Sequence, residues 1–338
     1  MNRNKPNLFI FGWPGFVGGA DTKLAHLVPL LCDDFAVTVV PNSAALLEQK
    51  RWTDFLSQHG ASYSSLADLG KTLTGTALSM CNLHFFTGNL ARMAKERGLK
   101  VVWSNEMMWF HDGEKEAVEN GLVDRVLYTS EFQKEKLSHG HGELPGVITG
   151  NYIDPQQFPF VERRSGTFAI GRLSRADPLK YPEDFPVFYE CLELPDTRFR
   201  VMGWSDELAE KYRWHSFDHR WDLLAEEQEP PLPFLHSLDL FVYPLGHNFQ
   251  ESWGRSTVEA MLTGCVPLVP RGHHFENLMV HGENGFVCND FEDYRCHAHE
   301  LRADSLKRLR IARAAREFAE HVTCRREDHR RKWKEALL

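Results

Sequence analysis

Gln250-Glu251-Ser252-Trp253-Gly254-Arg255-Ser256-Thr257-Val258-Glu259-Ala260-Met261 sets two carboxylates eight positions apart, with Gly254 at the mouth of an apolar-periodic helix. Upstream, Leu238 to Tyr243 followed by Pro244 reads as a buried strand ending in a turn. Downstream, Gly264 stops the helix ahead of a strand from Cys265 to Val269. The two glutamates therefore flank a strand-to-helix junction. Backbone N–H groups of a first helical turn lack an intrahelical acceptor and favour an anion, so Gly254, Arg255 and Ser256 are expected to form a phosphate seat. Glu259, two turns beyond Glu251, is expected to point the same way.

The chain has 338 residues, 42% hydrophobic and 25% charged, enough for two globular domains. Met1 to Asn7 is polar and Leu8 to Phe11 is too short for a signal core or a membrane span, so a cytoplasmic protein is expected. Seven cysteines without a CxxC pair read as reduced thiols. A net charge of −8 argues against nucleic acid as a partner, since phosphate backbones are held mainly by lysine and arginine.

Repeated strand-then-helix units predict parallel sheets covered on both faces. Strands are expected at Leu8 to Phe11, Phe35 to Val40, Leu83 to Phe86, Lys100 to Trp103, Arg125 to Tyr128 and Gly146 to Thr149. Leu24, Leu27, Val28 and Leu31 mark a helix after the first strand, with Asp21 or Thr22 as its cap. Between Ile153 and Gly166 prolines and charges interrupt the pattern, which places the interdomain boundary there. The resulting division is an N-terminal domain over 1–155, a second domain over 156–320 and a C-terminal helix over 321–338 that could return to the first domain. Strands of the second series are Phe168 to Gly171, Arg198 to Val201, Trp221 to Leu224, and the two that flank the Glu251 junction. From Ala303 onward Leu306, Leu309, Phe318 and Val322 occupy helical faces among many basic residues. A solvated helix packed by one face is the favoured reading, and a membrane-surface helix the alternative.

Gly12-Trp13-Pro14-Gly15-Phe16-Val17-Gly18-Gly19 follows a strand and precedes a helix, the setting of a dinucleotide fingerprint. However, the second strand is followed by Pro41-Asn42-Ser43 rather than by a ribose-binding acid, and no tyrosine has a lysine four residues later. Gly18 and Gly19 are better read as letting a backbone turn approach a bound group, or as a tight structural turn. A second loop, Gly171-Arg172-Leu173-Ser174-Arg175-Ala176-Asp177-Pro178-Leu179-Lys180, carries three cations within nine residues after a strand. Arginine forks and a lysine ammonium can neutralise a diphosphate.

In this order, GRLSRADPLKYPEDF, the E-x7-E of ESWGRSTVEAM and GCVPLVPRGHHFENLMVHGENGFV resemble a retaining glycosyltransferase of the GT-B fold, similar to glycosyltransferase family 4. GGADTKLAHL and GNYIDPQQF add weaker support. The resemblance covers residues 166–290 well and residues 1–155 in layout. It implies an α/β protein of two Rossmann-like domains with parallel sheets facing across a cleft, and a nucleoside-diphosphate sugar as substrate rather than any cofactor. On that pattern Arg172 and Lys180 bind the donor diphosphate with the amides near Gly254 to Ser256, Glu259 takes the ribose hydroxyls, and Glu251 meets the sugar. Gly18 and Gly19 approach the phosphate or the acceptor. The lysine follows the arginine by eight residues here instead of about five, which leaves Arg175 as the alternative contact. No metal is implied: there is no DxD, and the 17 histidines form no ligand-spaced cluster, His139, His141, His273 and His274 reading as surface loop residues.

Relatives commonly carry a histidine after the strand at Lys100 to Trp103. Here Glu106 stands near that place, with His111 second and His84 a distant third. Glu106 is a candidate base for the acceptor proton, or a structural pair. Trp103 and Trp109 are candidates to stack on a sugar face, with core packing expected for at least one. The implied activity is transfer of a sugar, from a UDP-sugar or next a GDP-sugar, to an unidentified acceptor in glycan or glycoconjugate synthesis, with peripheral membrane contact open. The alternatives are a non-hydrolysing nucleotide-sugar epimerase and a non-catalytic nucleotide-sugar-binding module.

Overall fold

The computed structural model describes residues 5–15, 19–80, 82–140, 142, 144–163 and 166–338. It divides into two compact units, Met1–Ile153 together with Arg326–Leu338, and Asp154–Arg325.

The first unit is built on seven parallel strands, β1 Asn7–Phe11, β2 Ala36–Val40, β3 Ser62–Tyr63, β4 Thr76–Met80, β5 Lys100–Ser104, β6 Arg125–Tyr128 and β7 Gly146–Ile148. Their order is β3-β2-β1-β4-β5-β6-β7. Alternation along β1 explains its burial on both faces. Leu8 and Ile10 join one core with Leu24, Leu27 and Trp333, while Phe9 and Phe11 join another with Phe85, Phe86 and Trp103.

The second unit has six parallel strands, β8 Phe168–Leu173, β9 Thr197–Trp204, β10 Trp221–Ala225, β11 Leu240–Val242, β12 Val266–Pro270 and β13 Phe286–Cys288. They are ordered β10-β9-β8-β11-β12-β13. Both sheets therefore reverse direction of growth beside their first strand, at β1/β4 and at β8/β11. Ligands of doubly wound sheets gather outside the carboxyl ends at such switch points.

Several expectations need correction. Leu83–Thr87 is a short helix, not a strand: Asn82 Oδ1 accepts the amide of Phe85 at 3.3 Å and caps it, and the strand lies just upstream as β4. Asp21 and Thr22 sit inside the helix Gly19–Leu31 rather than capping it. Near the C-terminus the buried face of the helix Ser305–Phe318 is Ile311, Ala312 and Ala315, the two alanines allowing close packing on the helix Arg255–Thr263, while Leu306, and Val322 beyond the helix, are exposed to solvent. That helix runs on into a π turn at Ala319–Thr323, so the second unit extends to Arg325 before the helix Arg326–Leu337 begins in the first. Among the described residues no helix is long and apolar enough to cross a membrane.

Candidate functional site

In the second unit the predicted residues converge where β8, β11 and β12 end. Arg172 lies near the end of β8 and has no exposed surface. Its Nη1 donates to the carbonyl of Pro244 at 2.8 Å, and its Nη2 to Ser174 Oγ at 3.2 Å and to the carbonyl of Lys180 at 3.3 Å. The guanidinium carbon sits 3.9 Å from the Tyr181 ring centroid and 4.5 Å from that of Tyr243. Arg172 thus fastens the loops around it. Its weakly hydrated planar cation suits burial between rings.

Lys180, at the end of the 3₁₀ turn Pro178–Lys180, is the buried cation of its loop, whereas Arg175 is exposed. Lys180 Nζ donates to Glu251 Oε2 at 3.3 Å, and the Tyr243 hydroxyl donates to the same oxygen at 3.3 Å. Burial works to strip the proton from Lys180, but Glu251 and Tyr243 outweigh it, so its pKa is raised and the ammonium persists. Glu251 is not on the following helix, which starts at Arg255. Glu251 and Glu259 accordingly do not share a helical face. Glu259 is buried and pairs with Arg255 Nε at 2.8 Å; burial raises its pKa against the pull of that arginine.

The Glu251 loop rests on the segment after β12. The Glu251 amide donates to His273 Nδ1 at 3.3 Å, the Trp253 and His274 rings stack with centroids 6.5 Å apart, and Gly254 abuts Phe275. These two histidines are therefore part of the site rather than surface loop residues. Burial lowers the pKa of His273 against Glu251 and Glu276, and lowers that of His274 to about 4, so both imidazoles are neutral at pH 7. Sequence reasoning missed them, and also Tyr243 and Tyr181; a hydroxyl-bearing aromatic just past a strand's carboxyl end was the one available signal.

Gly254 has φ +91°, and a Cβ there would lie 2.4 Å from Cε1 of Phe275, which is wholly buried. Gly254→Ala is expected to destabilise the second unit by at least about 1–3 kcal/mol from backbone strain, with the ring clash adding to it. A lowered unfolding midpoint, measured with and without nucleotide, checks this. The carbonyl of Gly254 accepts the amides of Thr257 and Val258 at 3.1 and 3.2 Å, which leaves the helix mouth at Arg255 and Ser256 formed as a first turn.

In the first unit Glu106 follows β5 and is held closely. Its Oε1 accepts from Lys23 Nζ at 2.7 Å and from Ser104 Oγ at 2.8 Å, and Lys23 has no exposed surface. Glu106 is thus paired with a buried lysine. His111 precedes the helix Asp112–Glu119, its amide donating to Glu114 Oε2 at 2.8 Å. His84 lies in the short helix Leu83–Thr87. Gly19 opens the first helix; Gly18 lies outside the described residues. Trp103 is core, 1% exposed, whereas Trp109 is 42% exposed. Among the described residues no three histidines, cysteines or carboxylates are grouped to hold a metal ion.

No family model and no curated protein sequence matches the chain. Solved structures do. HepE of Anabaena, crystallised with UDP and glucose, is similar with a TM-score of 0.75 at 16% identity, covering 98% of this chain and 99% of its own. TarM of S. aureus is similar with a TM-score of 0.79 at 10% identity, covering 98% of each chain. A glycosyltransferase from Rickettsia africae has a TM-score of 0.74 at 11% identity, also with 98% of each chain covered. The two parallel sheets, their shared strand order and these likenesses together show that the chain has the GT-B fold.

Proposed function

We propose that the protein is a retaining glycosyltransferase that moves a sugar from a nucleoside-diphosphate sugar, UDP-linked in preference to GDP-linked, to an acceptor in glycan or glycoconjugate synthesis, without a metal ion. One observation carries the reading: the Lys180–Glu251 pair, shared with Tyr243, at the carboxyl ends of β8 and β11. Breaking a sugar–phosphate bond develops positive charge on the sugar ring and negative charge on the departing diphosphate. A buried ammonium beside a helix mouth answers the second and a carboxylate answers the first. These two charges neutralise each other. A diphosphate that takes Lys180 releases Glu251 for the sugar. Glu259, one turn inside the helix and paired with Arg255, is the acceptor for ribose hydroxyls. HepE structures that hold UDP and UDP-glucose favour uridine as the base.

A thermal-shift screen with UDP, GDP, ADP and their common sugar conjugates, with and without EDTA, tests this. The expected result is a concentration-dependent rise in unfolding temperature with one diphosphate, indifferent to EDTA. A shift for no nucleotide would sink the donor assignment. Conversion of the nucleotide sugar to an epimer in the absence of any acceptor would replace transfer by epimerisation.

A further inference from the structure

We infer that Trp109 is the stacking platform of a saccharide acceptor, so that the acceptor is a carbohydrate recognised by the apolar face of its ring; the inference rests on the glycosyltransferase reading above. The first unit has five tryptophans. Trp13, Trp52, Trp103 and Trp333 are between 0 and 8% exposed, and Trp109 alone among them is open to solvent, at 42%. An exposed indole costs solvation free energy that burial would recover, yet the chain fixes it in place.

The fixing is extensive. Gln133 has no exposed surface, and its Oε1 accepts the amide of Thr129 at 2.6 Å and the hydroxyl of Thr129 at 2.9 Å. Its Nε2 donates to the carbonyls of Asn105 at 3.0 Å and Met107 at 2.8 Å. Asn105, 2% exposed, accepts the amide of Met107 at 3.0 Å and donates to the carbonyl of Trp109 at 3.4 Å. Two buried amide side chains therefore clamp the loop that leaves β5. On the far side Glu114 holds the amide of His111, and His111 Nε2 accepts the indole N–H of Trp109 at 3.4 Å, the two rings meeting at 84°. His111 grips the indole by its polar edge.

A tryptophan held this way has its orientation decided before any ligand arrives, so little rotamer entropy is lost on binding. Its π face suits the row of C–H groups on one side of a pyranose, a weak contact that gains from a rigid partner. Its position fits: Trp109 is three residues beyond Glu106, on the loop at the carboxyl end of the sheet where doubly wound folds bind ligands. Apolar packing does not account for it, because the neighbouring Phe110 already fills the Trp103 cluster, with ring centroids 5.0 Å apart.

The test uses the full chain and its Trp109→Ala and Trp109→Phe variants. Binding of the methyl α- and β-glycosides of glucose, galactose, mannose and N-acetylglucosamine is measured by isothermal titration calorimetry, and nucleoside-diphosphate binding is followed in parallel by thermal shift. The expected result is saturable binding of at least one glycoside, lost in Trp109→Ala and retained at roughly tenfold weaker affinity in Trp109→Phe. Nucleoside-diphosphate binding should be unchanged in both variants. Equal glycoside binding by Trp109→Ala, or no response to any glycoside, would overturn the inference while leaving an intact nucleotide shift to support the donor site. Loss of the nucleotide shift in the parent chain would refute the donor reading separately. Trp109-dependent binding to phosphatidylcholine vesicles in place of glycosides would also overturn it, showing a membrane contact instead.

Discussion

Glu251→Gln is expected to lower kcat by two orders of magnitude or more while leaving nucleoside-diphosphate affinity unchanged or higher. The amide preserves the size of the side chain and can still accept from Tyr243, but it no longer carries the charge that answers a developing oxocarbenium ion. Removing a single preorganised electrostatic contact of this kind costs roughly 10²–10³-fold. The effect on affinity has the opposite sign. On the proposed reading Glu251, paired with Lys180 at 3.3 Å, competes with a diphosphate for that ammonium, and removing the competitor frees the cation. The complication is that Lys180 would then be buried without its counter-charge, and breaking a buried pair destabilises by about 3–5 kcal/mol. Side-chain exposures of 11% for Lys180 and 13% for Glu251 place this pair close to that regime. The double variant Lys180→Met with Glu251→Gln separates the two outcomes. It should recover stability without recovering transfer, and it should lose diphosphate affinity. Normal transfer by Glu251→Gln, with its unfolding midpoint preserved, would remove Glu251 from the chemistry.

The junction that holds Glu251 was legible because its signals are local. A hydrophobic run closing on Tyr243-Pro244, a glycine at a helix mouth and a glycine at its end fix strand, loop and helix within a few residues of their observed bounds. What each charged side chain does there is not local. Arg172 and Pro244 are 72 residues apart, and Lys180 and Glu251 are 71 apart. Only the sheet order brings them together, and sequence spacing does not reveal which cation turns inward. The histidines illustrate the same limit. His273-His274 looks like a polar loop until β12 is set beside β11, at which point the pair becomes the bed of the Glu251 loop. Leu83-His84-Phe85-Phe86 failed for a different reason. A short apolar run carries no period, and the capping asparagine before it was the deciding signal.

Trp333→Ala should destabilise the first unit by roughly 3–5 kcal/mol, the cost of deleting a large core aromatic. The residue lies in the helix Arg326–Leu337, at the very end of the chain, yet it has no exposed surface and packs in the same core as Leu8, Ile10 and Leu27. The helix around it is pinned by charge. Arg326 pairs with Asp33 at 2.9 Å, and Arg330 and Lys334 pair with Asp34 at 2.6 and 3.0 Å. Its end is pinned by hydrogen bonds, from Thr76 Oγ1 to the carbonyl of Leu337 at 2.9 Å and from Arg125 to the carbonyls of Glu335 and Ala336. Those surface pairs are each worth little, so the tryptophan should dominate. It also lies beneath the Lys23 ammonium, 5.2 Å from the ring, and Lys23 in turn holds Glu106. Truncation therefore reaches toward the loop that carries Glu106 and Trp109. Unfolding in denaturant should split into two transitions in Trp333→Ala, the earlier belonging to the first unit and the later one retaining its protection by nucleoside diphosphate. Trp333→Phe should restore most of the loss. A single transition unchanged from the parent chain would show that the last helix is dispensable for the first unit's core.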